Sequence, residues 1–462
     1  MESTVNPGPA SSSEGRRAGA RAGAGADEES TATRLPPGPS APRLVQGVTA
    51  LVRQRRGLHH LRARYGDAFV VDWPVVGPSL VISTSSEIKQ LYTAGDAVEN
   101  LENHLGVMFG PDSLVVLNGD EHRVKRKLLS PPFHGRRLAA YDEIVRDETM
   151  RELATWPTDR EFPVLPSMGR ITLNVILRSI FGAEDAEVAE LRRRMPRGIK
   201  TGAFLTVAPL PGLGGPCSLR ARYQAFRRAF DAIVDRLIDK AERDRDLDRR
   251  DDVLALMVQA RYDDGARMSR SEISDNVLSL VAAGHETVAV SLAWAVERLR
   301  RHPHVLDALV EEADAGGEEL RKATILEVQR TRPVIDVVAR RVRAERLTLG
   351  RWTVPEGHMV LVGSALIHDD ESVFPNATVF DPSRFVAAKP DQYEWVPFGG
   401  GSRRCVGAAF AEMEMNVVLC TMLRAVTLLP TNARDERFHF NGVTNGPARG
   451  GRAAIRHRNR ED

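Results

Sequence analysis

Cysteine is scarce in this 462-residue chain, where Cys217, Cys405 and Cys420 are the only three. They lack zinc spacing and are too few for a disulfide framework, which excludes a zinc module and a disulfide-stapled secreted scaffold. This usage fits a reducing, cytoplasmic compartment, with one cysteine put to chemical use and two inert. Net charge is nearly absent too. With 64 basic against 62 acidic residues the formal charge is +2, so there is no bulk electrostatic case for binding nucleic acid. Lysine supplies only 7 of the 64 basic residues, and the arginine excess reads as codon bias rather than a binding signal. No run of about 20 apolar residues appears, so no transmembrane segment is expected. The N-terminus lacks the apolar h-region of a secretory signal. Glu14, Asp27, Glu28 and Glu29 argue against a transit peptide. Neither a GxxxxGK(S/T) phosphate loop nor an internal repeat is found.

What is present is an ordinary globular composition, 42% hydrophobic and 27% charged, on a chain long enough to bury a large core and a cofactor with it. Residues 1–34 are rich in Ala, Gly, Ser and Arg without hydrophobic periodicity and are expected to form a disordered tail. Leu35-Pro36-Pro37-Gly38-Pro39 is a stiff extended entry into a single folded domain over 35–462. Residues 44–65 read as a helix. Residues 68–83 read as a β-hairpin with Val76-Gly77-Pro78 at its turn. Thr84 and Glu87 have the capping-box spacing of a helix start. Tyr223, Phe226, Phe230, Ile233, Val234 and Leu237 form the apolar stripe of a helix over 219–244. Residues 203–217, with Pro209, Pro211, Gly212, Gly214, Gly215 and Pro216, read as a breaker-rich loop, either a mobile lid or a plain surface connection. Residues 271–300 form one long helix, apolar nearly all round from Val277 to Val296, as in a helix buried through the middle of a protein. Short strands and turns fill about 335–363. The fold class is mainly α with small β-sheets.

The strongest local signal is Phe398-Gly399-Gly400-Gly401-Ser402-Arg403-Arg404-Cys405-Val406-Gly407-Ala408. A glycine-rich loop delivers one cysteine to the start of an apolar helix, Ala408 to Leu423. The glycines allow close backbone approach to a flat ligand and permit positive φ. The helix start puts partial positive charge and free N–H groups beside the sulfur, which favours thiolate. Phe398 can shield the sulfur from water, and Arg403 supplies a permanent cation for a carboxylate. A Gly-rich turn with an inert buried cysteine is the plainer alternative for a lone Cys. The spacing Phe398-x-x-Gly401-x-Arg403-x-Cys405-x-Gly407, however, resembles the haem-binding signature of the cytochrome P450 family, in which a cysteine thiolate is the axial iron ligand and favours O–O cleavage.

The resemblance extends over about residues 35–450, with further motifs in the family's order. It implies a cytochrome P450 fold, with the long central helix over a haem (haem b, iron protoporphyrin IX) held by the Gly-rich Cys loop. Within that helix stands Ala283-Gly284-His285-Glu286-Thr287. A mid-helix Gly costs about 1 kcal/mol relative to Ala, and a carboxylate in an apolar helix is costly unless paired or used. A kinked helix with a solvated polar patch is the bland alternative. On the family's pattern, Gly284 leaves room for dioxygen, Thr287 bonds back to a carbonyl and opens the helix, and Glu286 and Thr287 are the acid–alcohol pair that relays protons. Val288 departs mildly, since many members carry a second hydroxyl residue there. Glu327 and Arg330, spaced i and i+3 on a helix, are similar to the family's ExxR pair. With Arg384 of Phe380-Asp381-Pro382-Ser383-Arg384-Phe385 they would form a buried structural triad. His122 and Arg126, one helical turn apart, match the helix that holds a haem propionate, unless they are a solvated basic face. Arg341 looks like the family's propionate-binding strand Arg, and Arg340 could hold that place instead. The cofactor-binding set is thus His122, Arg126, Arg341, Phe398, Gly401, Arg403, Cys405 and Gly407, with Cys405 as the metal ligand.

Resemblance places substrate-facing positions in 100–109, 203–210, 283–287, 334–338 and 441–445. These segments hold Val107, Met108, Phe109, Phe204, Ala283, Val334, Val337 and Val443, together an apolar pocket. The implied activity is insertion of one atom of O2 into an apolar small molecule, the other leaving as water. The chain's length and the lack of an obvious flavin or iron–sulfur motif lead to the expectation that electrons come from a separate ferredoxin or flavoprotein reductase, and the chain is expected to be a monomer. A peroxide-driven peroxygenase or haem isomerase is the alternative within enzymes. A non-catalytic haem carrier or sensor is the alternative outside them, needing only Cys405 and the propionate cations.

Overall fold

The computed structural model describes residues 33–73, 76–100, 102–135, 137–182, 185–207 and 218–458. The expected disordered tail lies outside these except at Thr33 and Arg34. Arg34 is not loose, because its backbone exchanges hydrogen bonds of 3.2 and 2.9 Å with Thr353.

Fourteen α-helices stand among the described residues: α1 (Arg43–Tyr65), α2 (Ser85–Thr93), α3 (Glu102–Phe109), α4 (Gly119–Leu129), α5 (Arg137–Leu153), α6 (Leu165–Phe181), α7 (Ala186–Val207), α8 (Leu219–Arg243), α9 (Val253–Gln259), α10 (Arg270–Leu299), α11 (Pro303–Ala315), α12 (Glu319–Thr331), α13 (Ser364–His368) and α14 (Ala408–Ala425). Their starts follow from local chemistry. The Thr84 hydroxyl accepts from the Glu87 N–H at α2. Ser269 and Glu272 close a reciprocal capping box at α10, and such caps satisfy N–H groups that the helix leaves orphaned.

Helix α10 is the spine. Val277, Val281, Leu292 and Trp294 are completely buried, and each such side chain contributes about 1.5–3 kcal/mol of transfer free energy. Its broadest packing is against α6, and α5, α8 and α14 add side chains to the same core. By length and composition α10 could cross a membrane, against the expectation that no such segment exists, but 67% of its apolar stretch is buried inside the protein.

The main sheet runs β1 (Ala68–Trp73), β2 (Gly77–Ile82), β8 (Met359–Gly363), β5 (Val337–Val342), β3 (Val98–Glu99). Only the β2–β8 pairing is parallel. Two-stranded pairs complete the set: β4 (Phe162–Pro163) with β12 (Arg452–Ala453), β6 (Arg346–Leu349) with β7 (Trp352–Pro355), β9 (Val426–Leu428) with β13 (Ile455–His457), and β10 (Phe438–Phe440) with β11 (Asn445–Pro447).

Two boundaries differ from expectation. Gly77 and Pro78 are not the hairpin turn; they already lie in β2, opposite Trp73 and Asp72, where Pro is tolerated because it stands at the start of the strand, before the pairing with β8 begins at Ser79. The loop expected over 203–217 begins later, since α7 continues through Val207, and 208–217 lie outside the described residues. What extends α7 is packing: a Cβ on Gly198 would meet the Phe226 ring at 2.2 Å, and one on Gly202 would meet Tyr223 at 2.8 Å. The small residues thus let α7 sit directly on the aromatic face of α8.

Candidate active site

The cysteine loop is folded by its own backbone and by α2. The Cys405 N–H donates to the Phe398 carbonyl at 2.9 Å. Gly399 and Gly401 adopt φ of +63° and +65°. A Cβ on Gly401 would lie 2.1 Å from the Tyr92 carbonyl oxygen, and one on Gly400 would lie 2.1 Å from the Tyr92 ring. Only glycine lets the loop press this closely on the end of α2. Gly401→Ala combines a positive φ with a backbone clash. It is expected to lower stability by at least about 2 kcal/mol, read from a denaturant midpoint.

Cys405 is exposed, yet protein surrounds it densely enough for burial to push its thiol up. A group that is both accessible and enclosed faces a recess rather than bulk solvent. The Gly407 N–H and the cations of Arg404 and Arg126 pull the other way. The thiolate preference expected from the start of α14 is therefore outweighed by desolvation in the chain alone. A bound cation reverses that balance, because a coordinating thiol is deprotonated outright. Phe398 packs edge-on against Trp395, with ring centroids 5.8 Å apart.

Around the recess stands a cluster of like charge. His122, on α4, is buried, and its imidazole makes no hydrogen bond among the described residues. Burial first, then Arg403, Arg126, Arg123 and Arg340, pull its imidazole down to about 3. It is therefore a neutral donor rather than a cation, and no solvated basic face. Arg126 has no ion-pair partner among the described residues, and burial lowers it while the Cys405 sulfur opposes that shift. Arg403 donates to the Leu114 carbonyl at 3.4 Å and also to the Leu117 carbonyl and the Asn118 side chain. It is thus tied to the segment before α4.

Arg340 and Arg341 are consecutive in β5, and strand alternation sends them to opposite faces. Arg340 turns to Tyr92 and Asn100, lining a small cavity with His122 and Arg403. Arg341 has a buried Nε with no partner. An unpaired buried guanidinium nitrogen is costly, and it leaves a donor for an anionic group. An unpaired Arg126 beside an accessible cysteine, with further arginines around His122, suits a flat, dianionic, metal-bearing ligand such as haem. Among the described residues no three His, Cys, Asp or Glu come together as a metal cage, so Cys405 would be the protein's single ligand.

Helix α10 is buried on both sides of the site but accessible from Ala283 to Thr287, with Ala283 exposed. The Thr287 hydroxyl donates back to the Ala283 carbonyl at 2.7 Å, while the helix stays continuous. Glu286 accepts from Asn441 Nδ2 and, at 3.1 Å, from the Thr444 hydroxyl. On the other side, Thr172 of α6 meets the His285 carbonyl at 2.9 Å and its Nδ1 at 3.1 Å. Burial lowers the His285 imidazole to about 4. Gly284 does not open the space expected of it. Its absent Cβ points at Ile176 of α6, 3.5 Å away, and the open position is Ala283.

The structural triad is assembled. Glu327 and Arg330 are fully buried and 2.8 Å apart, and Arg384 Nε lies 3.2 Å from Glu327. Of the apolar pocket positions, Val107, Phe204 and Val443 are 49%, 47% and 42% exposed. Val334 and Val337 are half-buried. Met108 and Phe109 are turned into the core and are not free to meet a ligand; the Met108 carbonyl takes the Tyr223 hydroxyl and the Phe109 carbonyl takes Arg227. Sequence reasoning missed Tyr92, Thr172, Asn441 and Thr444. Asn441-Gly442 between Phe440 and Val443 is a hairpin-turn signal that would have found the last pair.

The chain is matched over residues 36–450 by the family model described as Cytochrome P450. It is similar to a protein provisionally named cytochrome P450 138 from Mycobacterium tuberculosis (strain H37Rv), at 48% identity over 92% of this chain and 97% of that one. It is also similar to one provisionally named cytochrome P450 135B1 from the same organism, at 37% identity over 91% of each. Among solved structures, cyanobacterial CYP120A1 with bound retinoic acid superposes with a TM-score of 0.81 at 22% identity, over 92% of this chain and all (100%) of that one. The cytochrome P450DA heme domain gives a TM-score of 0.80 at 19% identity, over 92% and 98%.

Proposed function

Because the chain belongs to the cytochrome P450 family and is thus a haem-dependent monooxygenase, we propose that Cys405 would supply the thiolate that holds a haem b within the 35–462 domain. Haem, once bound, supplies activation of dioxygen with two electrons, one oxygen atom entering the substrate and the other leaving as water. Arg126, Arg341 and Arg403 neutralise its propionates, with neutral His122 as a hydrogen-bond donor. Phe398, Gly401 and Gly407 shape the loop around the sulfur. Glu286 carries protons inward from the Asn441 side and hands them to the Thr287 hydroxyl, whose lone pairs remain available while it donates to Ala283.

Val107, Phe204, Ala283, Val334, Val337 and Val443 border an apolar small-molecule substrate, with Met108 and Phe109 supporting them from behind. Electrons come from a separate ferredoxin or flavoprotein, for which a groove at the cysteine loop offers Trp395 and Phe398 among Lys322, Lys389 and Arg404 and an equal number of acids, Glu318, Glu319 and Glu412. A cytoplasmic monomer suits such a donor. The held Glu286–Thr287 pair favours oxygen activation over a peroxygenase, an isomerase or a haem carrier, none of which needs a proton relay.

The observation that carries this reading is an accessible, enclosed Cys405 beside Arg126, a cation without an ion-pair partner among the described residues. Its test is the difference spectrum of the reduced, carbon monoxide-treated protein. A strongly red-shifted Soret band is expected, and a histidine-type band refutes thiolate ligation. Arg341→Ala is expected to weaken haem retention about tenfold, the worth of one charge-assisted hydrogen bond, as read by haem transfer to apomyoglobin. Arg340→Ala should have little effect on that rate.

A further inference from the structure

The hairpin joining β10 to β11 reaches the acid of the proposed relay. Its tip, Asn441 to Thr444, is a compact unit. Asn441 Oδ1 accepts the N–H groups of Val443 at 3.2 Å and Thr444 at 2.9 Å, and the Asn441 N–H donates to the Thr444 carbonyl at 3.1 Å. The same Asn441 side chain turns its Nδ2 to Glu286, and the Thr444 hydroxyl adds a second donor to the same carboxylate oxygen. Between these two residues Val443 projects, 42% exposed, while Thr444 is completely buried. The hairpin is anchored at its base, where the Asn445 N–H donates to the Val334 carbonyl at 2.8 Å and the Asn445 carbonyl accepts from Trp294 Nε1 at 2.8 Å.

Resting on the relay reading above, we propose that Asn441 and Thr444 are positioning residues. They hold the Glu286 carboxylate, and through Val443 they tie its position to what occupies the neighbouring apolar space. The argument is geometric. Glu286 makes no ion pair among the described residues, so two neutral donors from one rigid turn set its rotamer. A carboxylate so held can point one oxygen at its clamp and keep the other for proton transfer. An apolar group pressed on Val443 bears on the same four-residue turn, so occupancy and proton delivery are coupled by a direct chain of contacts.

The test uses full-length holoprotein with a surrogate ferredoxin and ferredoxin reductase, comparing wild type with Asn441→Ala, Thr444→Val, Thr444→Ser and Glu286→Gln. The fraction of electrons released as hydrogen peroxide should rise about tenfold in Asn441→Ala and Thr444→Val, the worth of a hydrogen bond to a charged group. Thr444→Ser should return it towards wild type, and haem content and the carbon monoxide spectrum should not change. A second readout is independent of turnover. The infrared carboxylate band assigned to Glu286 by subtraction of Glu286→Gln should shift in Asn441→Ala. An unshifted band overturns the contact. Unchanged peroxide in both hairpin variants while Glu286→Gln raises it overturns the positioning role and leaves the relay standing. No effect in Glu286→Gln overturns the relay, and the positioning role with it.

Discussion

Cys405→Ala abolishes the thiolate-type carbon monoxide band and takes monooxygenase turnover to background, while leaving the fold nearly as stable as before. The asymmetry follows from the side chain's surroundings. The sulfur is exposed within its recess. Among the contacts that set its ionisation only the Gly407 N–H is a hydrogen bond, so truncation removes little packing and opens no closed cavity. Substitutions away from core packing usually change stability by within about 0.5 kcal/mol. The backbone bond from Cys405 to Phe398 that closes the loop does not depend on the side chain. The matched measurement is a difference spectrum beside a denaturation curve on one preparation. A thiolate band surviving in the variant would move the ligand to Cys217 or Cys420.

Glu327→Ala is expected to have the opposite profile, losing about 3–5 kcal/mol of stability and most of the haem with it. The carboxylate is entirely buried, and it accepts from Arg330, approaches Arg384 and takes the Asp381 N–H at 2.9 Å. Removing it strands a fully buried guanidinium, which is the costly way to break an ion pair. Replacing Glu327 and Arg330 together with apolar residues should not restore stability, as it sometimes does for an isolated buried pair. Arg330 also donates to the carbonyls of His368, Ala377 and Val379 at 2.7, 2.8 and 3.2 Å, and those acceptors would lose their donor. Haem-to-protein ratio and denaturant midpoint should fall together. A variant with normal haem loading and midpoint would show that α12 does not depend on this knot.

Much of the scaffold was legible because its signals are local. The cap at Thr84, the stripe over Tyr223 to Leu237 and the unbroken apolar run of α10 each fix an element without reference to partners. The cysteine loop was legible for the same reason, its glycines and cysteine lying within ten residues. What could not be read were relations across the chain. Nothing near Gly284 tells that its bare side faces Ile176, nor anything near Gly202 that α7 must run on over Tyr223. His122 looks like a cation until burial and four arginines are put around it. Arg340 and Arg341 are indistinguishable in sequence and become distinct only when β5 assigns them to opposite faces. Asn441 lies 155 positions from Glu286, and no periodicity joins such a pair.

The accessible stretch of α10 has a consequence for how this chain can change. From Val277 to Ala282 and from Val288 to Val296 the helix is locked into the core almost without interruption, so substitution there is constrained by volume. Ala283 bears on open space, while Gly284 and His285 rest on α6 and Glu286 on the hairpin tip. Replacement of Ala283 alters ligand fit while costing the fold little, so the open side of this one turn can explore new substrates on a scaffold whose stability is guaranteed by its neighbours. Selection for a new substrate should therefore accumulate changes in this turn and in the hairpin tip facing it before any appear in the flanking core.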